Sequence, residues 1–229
     1  MRISGLQKLT LLDYPEKVAC TVFTFGCNFR CPFCHNAGLV VGEQPEEIKE
    51  DDFFAYLDKR KGVLDGVAIT GGEPTLQKDL IPFIKRIKEK GLSVKLDTNG
   101  ARPEVIKEIL DQGIVDYFAM DIKNGPKKYA ATAGVDIDLN KIKESIALLI
   151  ERAPDYEFRT TVVKGFHEKG DFLEIGKMIA GAKKYFLQKF TDSGAILGTG
   201  VGPCNEEEME GFLKEAKEYV PEAKIRGKE

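Results

Sequence analysis

Cys27, Cys31 and Cys34 stand in the run Cys27-Asn28-Phe29-Arg30-Cys31-Pro32-Phe33-Cys34, directly after Gly26. Thiolates are soft donors that suit iron–sulfur clusters or zinc. Three of them neither close a tetrahedral structural zinc site nor saturate a four-iron cluster. Zinc would need a fourth ligand. His35 is awkward because it adjoins Cys34, which leaves Cys204 as the candidate. A four-iron cluster on three cysteines would keep one iron open to nitrogen and oxygen donors of a second molecule. Both readings stand at this level: a reactive centre, or a module that only binds metal or carries electrons.

Other polar groups recur where apolar runs end. Gly71-Gly72-Glu73-Pro74 follows one run, and glycines let another group approach the backbone. Asp97-Thr98-Asn99-Gly100 follows a second; Asp97 could neutralise an ammonium or bond a hydroxyl, or could cap a loop. Asp121 and Lys123 alternate and so share a face, where they need a polar cavity or each other. Arg159 and Thr160 occupy a fifth run, Gln188 and Lys189 a sixth. Phe33 could stack on a flat ring or pack in the core. Of the two histidines, His35 is placed by the cysteine loop and His167 is expected on a surface turn.

The elements that must position these groups alternate in type. Strands are expected at 19–25, 66–70, 93–97, 116–122, 157–163 and 185–190. Near-continuous apolar runs such as Val67-Ala68-Ile69 suit parallel strands buried on both faces. Helical patterns lie at 45–61, 76–90, 103–112, 139–153 and 169–183, with a last helix at 206–219. Pro103 suits a first helical turn, and Gly91 and Gly113 suit helix stops. Six strands joined by helices imply an α/β fold, a partial (β/α)6 TIM-like barrel with parallel strands, whose strand C-termini gather the active site. The first 18 residues are expected to form an N-terminal hairpin that plugs one end. The tail 226–229 is expected to fray.

The chain has 229 residues, 42% of them hydrophobic, which suits one domain over 1–229 with its core at about 18–190. A net charge of −3 gives no support for nucleic-acid binding. The N-terminus carries no signal-peptide pattern and no stretch suits a membrane span, so a cytoplasmic location is expected. Reduced cysteines there favour metal binding or catalysis over disulfides. Cys20, in an apolar run, is expected in the core. Cys204, after a glycine-rich stretch, is expected to be structural and exposed.

Together, CxxxCxxC with an aromatic before the last cysteine, the Gly-Gly-Glu-Pro turn, Asp97-Thr98-Asn99-Gly100 and Met120-Asp121-Ile122-Lys123 resemble the radical S-adenosylmethionine superfamily over residues 8 to 190. Cys34-His35-Asn36 and Leu11-Leu12-Asp13-Tyr14-Pro15 are similar to its glycyl-radical-enzyme activases, and within them to the anaerobic ribonucleoside-triphosphate reductase activating proteins. The resemblance implies a [4Fe-4S] cluster on Cys27, Cys31 and Cys34. It implies that the open iron chelates the amino and carboxylate groups of S-adenosylmethionine. Gly71, Gly72 and Glu73 would meet its amino group, and Asp97 and Thr98 its methionyl end. Asp121 and Lys123 would meet the methionyl or ribose region, with the Phe33 backbone and His35 near the adenine. Formate-lyase activators carry a histidine on the last strand; Gln188 stands in here, which argues against that subgroup. The implied partners are a glycyl-radical enzyme and a low-potential electron donor. A small-molecule substrate, as in deazapurine biosynthesis, is the alternative within the same chemistry.

Overall fold

The computed structural model describes residues 1–43, 45–192, 194 and 196–227. In chain order the first half comprises β1 (Ile3–Thr10), β2 (Ala19–Thr24), α1 (Ala37–Val41), α2 (Glu50–Lys59), β3 (Gly66–Gly71), α3 (Leu80–Glu89), β4 (Ser93–Thr98) and α4 (Pro103–Gln112). The second half comprises β5 (Tyr117–Asp121), α5 (Tyr129–Ala133), α6 (Leu139–Arg152), β6 (Tyr156–Lys164), α7 (Asp171–Met178), β7 (Tyr185–Lys189), β8 (Gly202–Pro203), α8 (Glu206–Lys217) and β9 (Lys224–Arg226).

The six expected strands are β2 to β7, and they lie parallel in sequence order. This is the partial barrel the alternation implies. β1 adds antiparallel to the β2 edge and β9 adds parallel to β7. The N-terminal hairpin exists, but its second arm is β2 itself. Tyr14 in its turn is buried with Ala19 and Tyr117 at the N-terminal end of the barrel. Strands β2, β3 and β5 carry buried apolar residues on both faces: Val67, Ala68 and Ile69 are all buried. The amphipathic helices cover the sheet with Phe53, Phe83, Ile84, Ile109, Leu149 and Phe172.

Local signals set most helix ends. Pro103 opens α4, and Gly113 closes it in a left-handed conformation. Asn205 and Glu208 form a capping box on α8. The helix expected at 76–90 begins instead with a 3-10 turn, Pro74–Leu76, before α3. Cys20 is in the core as expected. Cys204 is buried, not exposed: in the short link between β8 and α8 it joins the hydrophobic core. The expected frayed tail is corrected at Arg226, which belongs to β9 and forks onto Glu157 with two bonds of 2.8 Å; residues 228–229 lie outside the described residues. Among the described residues no helix is long and apolar enough to cross a membrane.

Candidate active site

β2 delivers the cysteine loop. Gly26 turns the chain out of the strand at φ +88°, a left-handed conformation that favours glycine. Gly72 N–H donates to Thr24 O at 2.9 Å, and Glu73 N–H donates to Gly26 O at 2.8 Å. The pairing of β2 with β3 therefore continues past both strand ends. A Cβ on Gly71 would lie 2.3 Å from Thr24 N, and one on Gly72 would lie 2.0 Å from Gly26 O. The close approach expected at these glycines is made by the cysteine loop's own backbone. From the other side, Arg30 N–H bonds Ala133 O at 2.8 Å, so α5 braces the loop.

The three thiols line one cavity of about 240 Å³ at the C-terminal ends of the strands. The same cavity is lined by Phe33, His35, Gly71, Gly72, Glu73, Asp97, Thr98, Asp121, Lys123 and Gln188. The residues to which the resemblance assigns the cluster and S-adenosylmethionine thus line one cavity, whereas Thr160, His167, Lys189 and Cys204 do not. Cys27 Sγ accepts from Phe29 N–H at 3.3 Å and from Asn99 Nδ2 at 3.8 Å. Burial pushes the Cys27 thiol up to about 11 and raises Cys31 as well. Metal binding must displace those protons. Cys204 does not line the cavity, so it supplies no fourth ligand there. Among the described residues no three His, Cys, Asp or Glu side chains gather tightly enough for a single metal ion.

Glu73 is the hinge-pin of the rim. Its buried carboxylate accepts from Thr75 N–H at 3.1 Å, Thr75 Oγ1 at 2.5 Å, Thr98 Oγ1 at 2.8 Å and Asn99 N–H at 2.6 Å. Three of these bonds fall on Oε1 and one on Oε2, which leaves acceptor capacity on Oε2. Glu73 forms no ion pair among the described residues. Burial raises its carboxyl above the ordinary range against the pull of these donors. Thr98, expected to touch a ligand, is already occupied by Glu73 and by Gly100 N–H at 3.1 Å.

Across the cavity runs a five-member charge network. Lys95 donates to Asp97, and Arg159 reaches Asp97 at 3.2 Å and Asp121 at 2.9 Å. Lys123 donates to Asp121 at 3.0 Å. Asp121 and Arg159 are direct cross-strand partners. Burial opposes ionisation of both carboxyls, but Arg159 with Lys95 or Lys123 outweighs it and holds them below their ordinary values. Asp97, Asp121, Lys123 and Arg159 line the cavity, two anions with two cations, while Lys95 is buried and does not line it. Asp121 and Lys123 therefore do both things their alternation allows: they pair, and they line a polar space.

The sequence reading passed over several neighbours. Arg159 was visible only as a charge; it shares its face with Thr161, two residues on, and not with Thr160, whose hydroxyl bonds Ile122 O and Tyr185. Asn36 bonds Gly71 O at 3.2 Å, and Asn99 bonds Asn28 Oδ1 at 2.8 Å. His167 is buried, not on a surface turn: Nδ1 accepts from Val163 N–H at 3.1 Å and Nε2–H donates to Lys123 O at 2.9 Å. It holds the Lys123 backbone, and burial depresses its basicity. The Phe33 ring packs on Phe166 at 5.7 Å, so its backbone rather than its ring is free for a ligand. His35 stays at the surface against Phe190, ring centroids 5.3 Å apart.

The Radical SAM superfamily model matches residues 21–179. The chain belongs to this superfamily. A Methanocaldococcus jannaschii protein, named as a glycyl-radical enzyme activating enzyme, is 35% identical over 98% of this chain and 95% of its own length. A Thermococcus kodakarensis protein named as a GTP 3′,8-cyclase is 31% identical over 69% of this chain, which spans half of that protein. The Clostridium pasteurianum pyruvate formate-lyase-activating enzyme is 32% identical over 54% of this chain and 52% of its own length. Streptococcus suis SuiB with S-adenosylmethionine bound shares the fold at a TM-score of 0.69 and 14% identity, over 89% of this chain and 49% of SuiB.

Membership makes the chain a radical S-adenosylmethionine enzyme of the glycyl-radical-activase kind, using a [4Fe-4S] cluster and S-adenosylmethionine. The residues present fit both groups. The donor set is three soft thiols spread around a cavity wall rather than converging on one ion. The buried, cation-free Glu73 carboxylate suits an incoming ammonium, and the Lys123 and Arg159 cations in the same cavity suit a carboxylate.

Proposed function

We propose that this chain generates a glycyl radical on a partner enzyme, and that the partner is an anaerobic ribonucleoside-triphosphate reductase. In this reading Cys27, Cys31 and Cys34 hold the [4Fe-4S] cluster. When bound, the cluster supplies the electron that splits the sulfonium of S-adenosylmethionine into methionine and a 5′-deoxyadenosyl radical, which takes a hydrogen atom from the partner's glycine.

The chain's own residues do the positioning. Glu73 receives the ammonium of the methionyl group on its spare Oε2 acceptor site. The Arg159–Asp97–Asp121–Lys123 network, held by its ion pairs, faces the methionyl and ribose end with groups of both signs. The Phe33 backbone and His35 lie at the adenine end, and Gln188 lies on the opposite wall. The expected low-potential donor feeds the cluster, and the protein acts in the cytoplasm.

The observation that carries the reading is the placement of three thiols and one buried, cation-free carboxylate on a single cavity wall. What supports a protein substrate over a small one is length: the chain spans nearly all of the activating-enzyme relative but only half of the cyclase relative. The test is anaerobic reconstitution with iron and sulfide, followed by reduction with S-adenosylmethionine and a candidate anaerobic reductase. A glycyl-radical EPR doublet on the reductase, with one 5′-deoxyadenosine formed per radical, is the expected result. S-adenosylmethionine cleavage with no radical on any glycyl-radical enzyme, and turnover of a nucleotide instead, would replace it with the small-molecule reading.

A further inference from the structure

The three thiols are not equally served. Cys27 Sγ has two N–H donors, from Phe29 and Asn99. Cys31 Sγ receives no hydrogen bond from another residue among the described residues, although Cys31 is buried. A buried thiolate without a donor is costly, and sulfur ligands of clusters are ordinarily served by outer hydrogen bonds.

An unused donor lies beside it. Tyr129 is fully buried at the start of α5, the element that braces the cysteine loop. Its hydroxyl is buried and has no hydrogen-bond partner. Tyr129 shares the core with Cys31 and stands one helical turn before Ala133, whose carbonyl holds Arg30 N–H next to Cys31; the Lys123 backbone N–H near the hydroxyl can only donate to it, which leaves the phenolic hydrogen without an acceptor. α5 cannot drift away from the loop. Its closing residue Gly134 has φ +72°, and a Cβ there would lie 2.2 Å from Arg30 O. Asn124 fastens the other side, donating to Thr132 Oγ1 at 3.0 Å. An orphaned hydroxyl held this firmly implies a partner that belongs to the loaded protein.

We propose that the Tyr129 hydroxyl donates a hydrogen bond to sulfur at the Cys31 end of the iron–sulfur cluster, and so sets the cluster's reduction potential. The role is that of a positioning residue, since Tyr129 does not line the substrate cavity. It rests on the reading of Cys31 as a cluster ligand. Donors to cluster sulfur stabilise the reduced, more negative state, so losing one lowers the potential.

The experiment compares wild type with Tyr129→Phe after anaerobic reconstitution, by iron content, EPR-monitored redox titration and thermal melting of the metal-free protein. Y129F is expected to bind as much iron as wild type, with the midpoint potential of the cluster shifted to more negative values. The metal-free Y129F protein is expected to melt at the same or a higher temperature, because it loses only an unpartnered hydroxyl. Full iron with an unmoved potential overturns the proposal. So does a lower melting temperature of metal-free Y129F, which would show that the hydroxyl is already bonded without the cluster and which applies even if the variant loads poorly. Cys31→Ala separates the two layers: full iron in C31A overturns the ligand reading beneath, whereas an unmoved potential in iron-replete Y129F overturns only the role of Tyr129.

Discussion

Glu73 concentrates the chemistry of the site at the scale of one residue. Four donors from two segments hold its carboxylate in place, and none of them carries a full positive charge. A charge-assisted hydrogen bond to a ligand ammonium is worth about 1.5–3 kcal/mol. Glu73→Gln keeps the size of the side chain and removes the charge. Its affinity for S-adenosylmethionine, read by calorimetry on the reconstituted protein, should fall by roughly tenfold or more; an unchanged affinity would exclude an ammonium at Glu73. Such a residue is only half legible in a sequence. The Gly-Gly-Glu-Pro turn marks it as chemically interesting, but two of its four donors come from Thr98 and Asn99 on the next strand end. The same holds for Arg159. One charge in an apolar run is visible, whereas its two carboxylate partners, 38 and 62 positions away, follow only from the closing of the sheet.

At the scale of elements, legibility follows length. The parallel strands β2 to β7 were readable because five or more residues with few polar interruptions leave little choice of environment. α7 is shorter than the expected 169–183, because an apolar period continues past the last helical hydrogen bond into the loop before β7. The five-residue α1 and α5 show no usable period, and β8 and β9 are shorter still. Two predictions belong here. Gly72→Ala places a methyl where Gly26 O already stands, and overpacking of this kind costs about 1–3 kcal/mol. Iron uptake by G72A should therefore fall with its melting temperature, whereas Gly211→Ala, on the open surface of α8, should leave iron uptake unchanged and raise the melting temperature slightly, because alanine is the better helix former. The second concerns β9, which is tied to β6 by Arg226 on buried Glu157, with Tyr117 donating to the same carboxylate at 2.8 Å. Burial opposes ionisation of Glu157, but Arg226 and its neighbours hold the carboxyl below its ordinary value. The unfolded chain therefore binds that proton more readily than the folded one. The contribution of the tie is whole above about pH 4.5 and is lost as pH falls through the lower folded value. Glu157→Gln should destabilise the protein near neutrality by about 1.5–3 kcal/mol and flatten this part of its acid unfolding profile, as read by denaturant melts at several pH values.

For the molecule as a whole, the two ends of the barrel have separate duties. The C-terminal ends of the strands carry the polar groups of the cavity, while the N-terminal end is closed by Tyr14 and carries the exposed Leu9, Leu11 and Leu12 beside it. Leu12 is 91% exposed, in the turn between β1 and β2. Leu12→Lys should leave iron content and S-adenosylmethionine cleavage at wild-type levels. A loss of cleavage in L12K would mean that the far end of the barrel communicates with the thiols.

The continuation of backbone pairing beyond β2 and β3, and the grip of Glu73 on the end of β4, weld the first three strand termini into one piece. Opposite them, Arg159, Thr161 and Gln188 reach the cavity from β6 and β7, and the loop after β6 is tied to the end of β5 through side chains, His167 on Lys123 O and Asn124 on Phe166 O. Change is therefore unequally tolerated around the rim: the Thr161 and Gln188 side chains can be exchanged without disturbing a backbone tie, whereas any drift in the cysteine loop must be matched at once by its two neighbours.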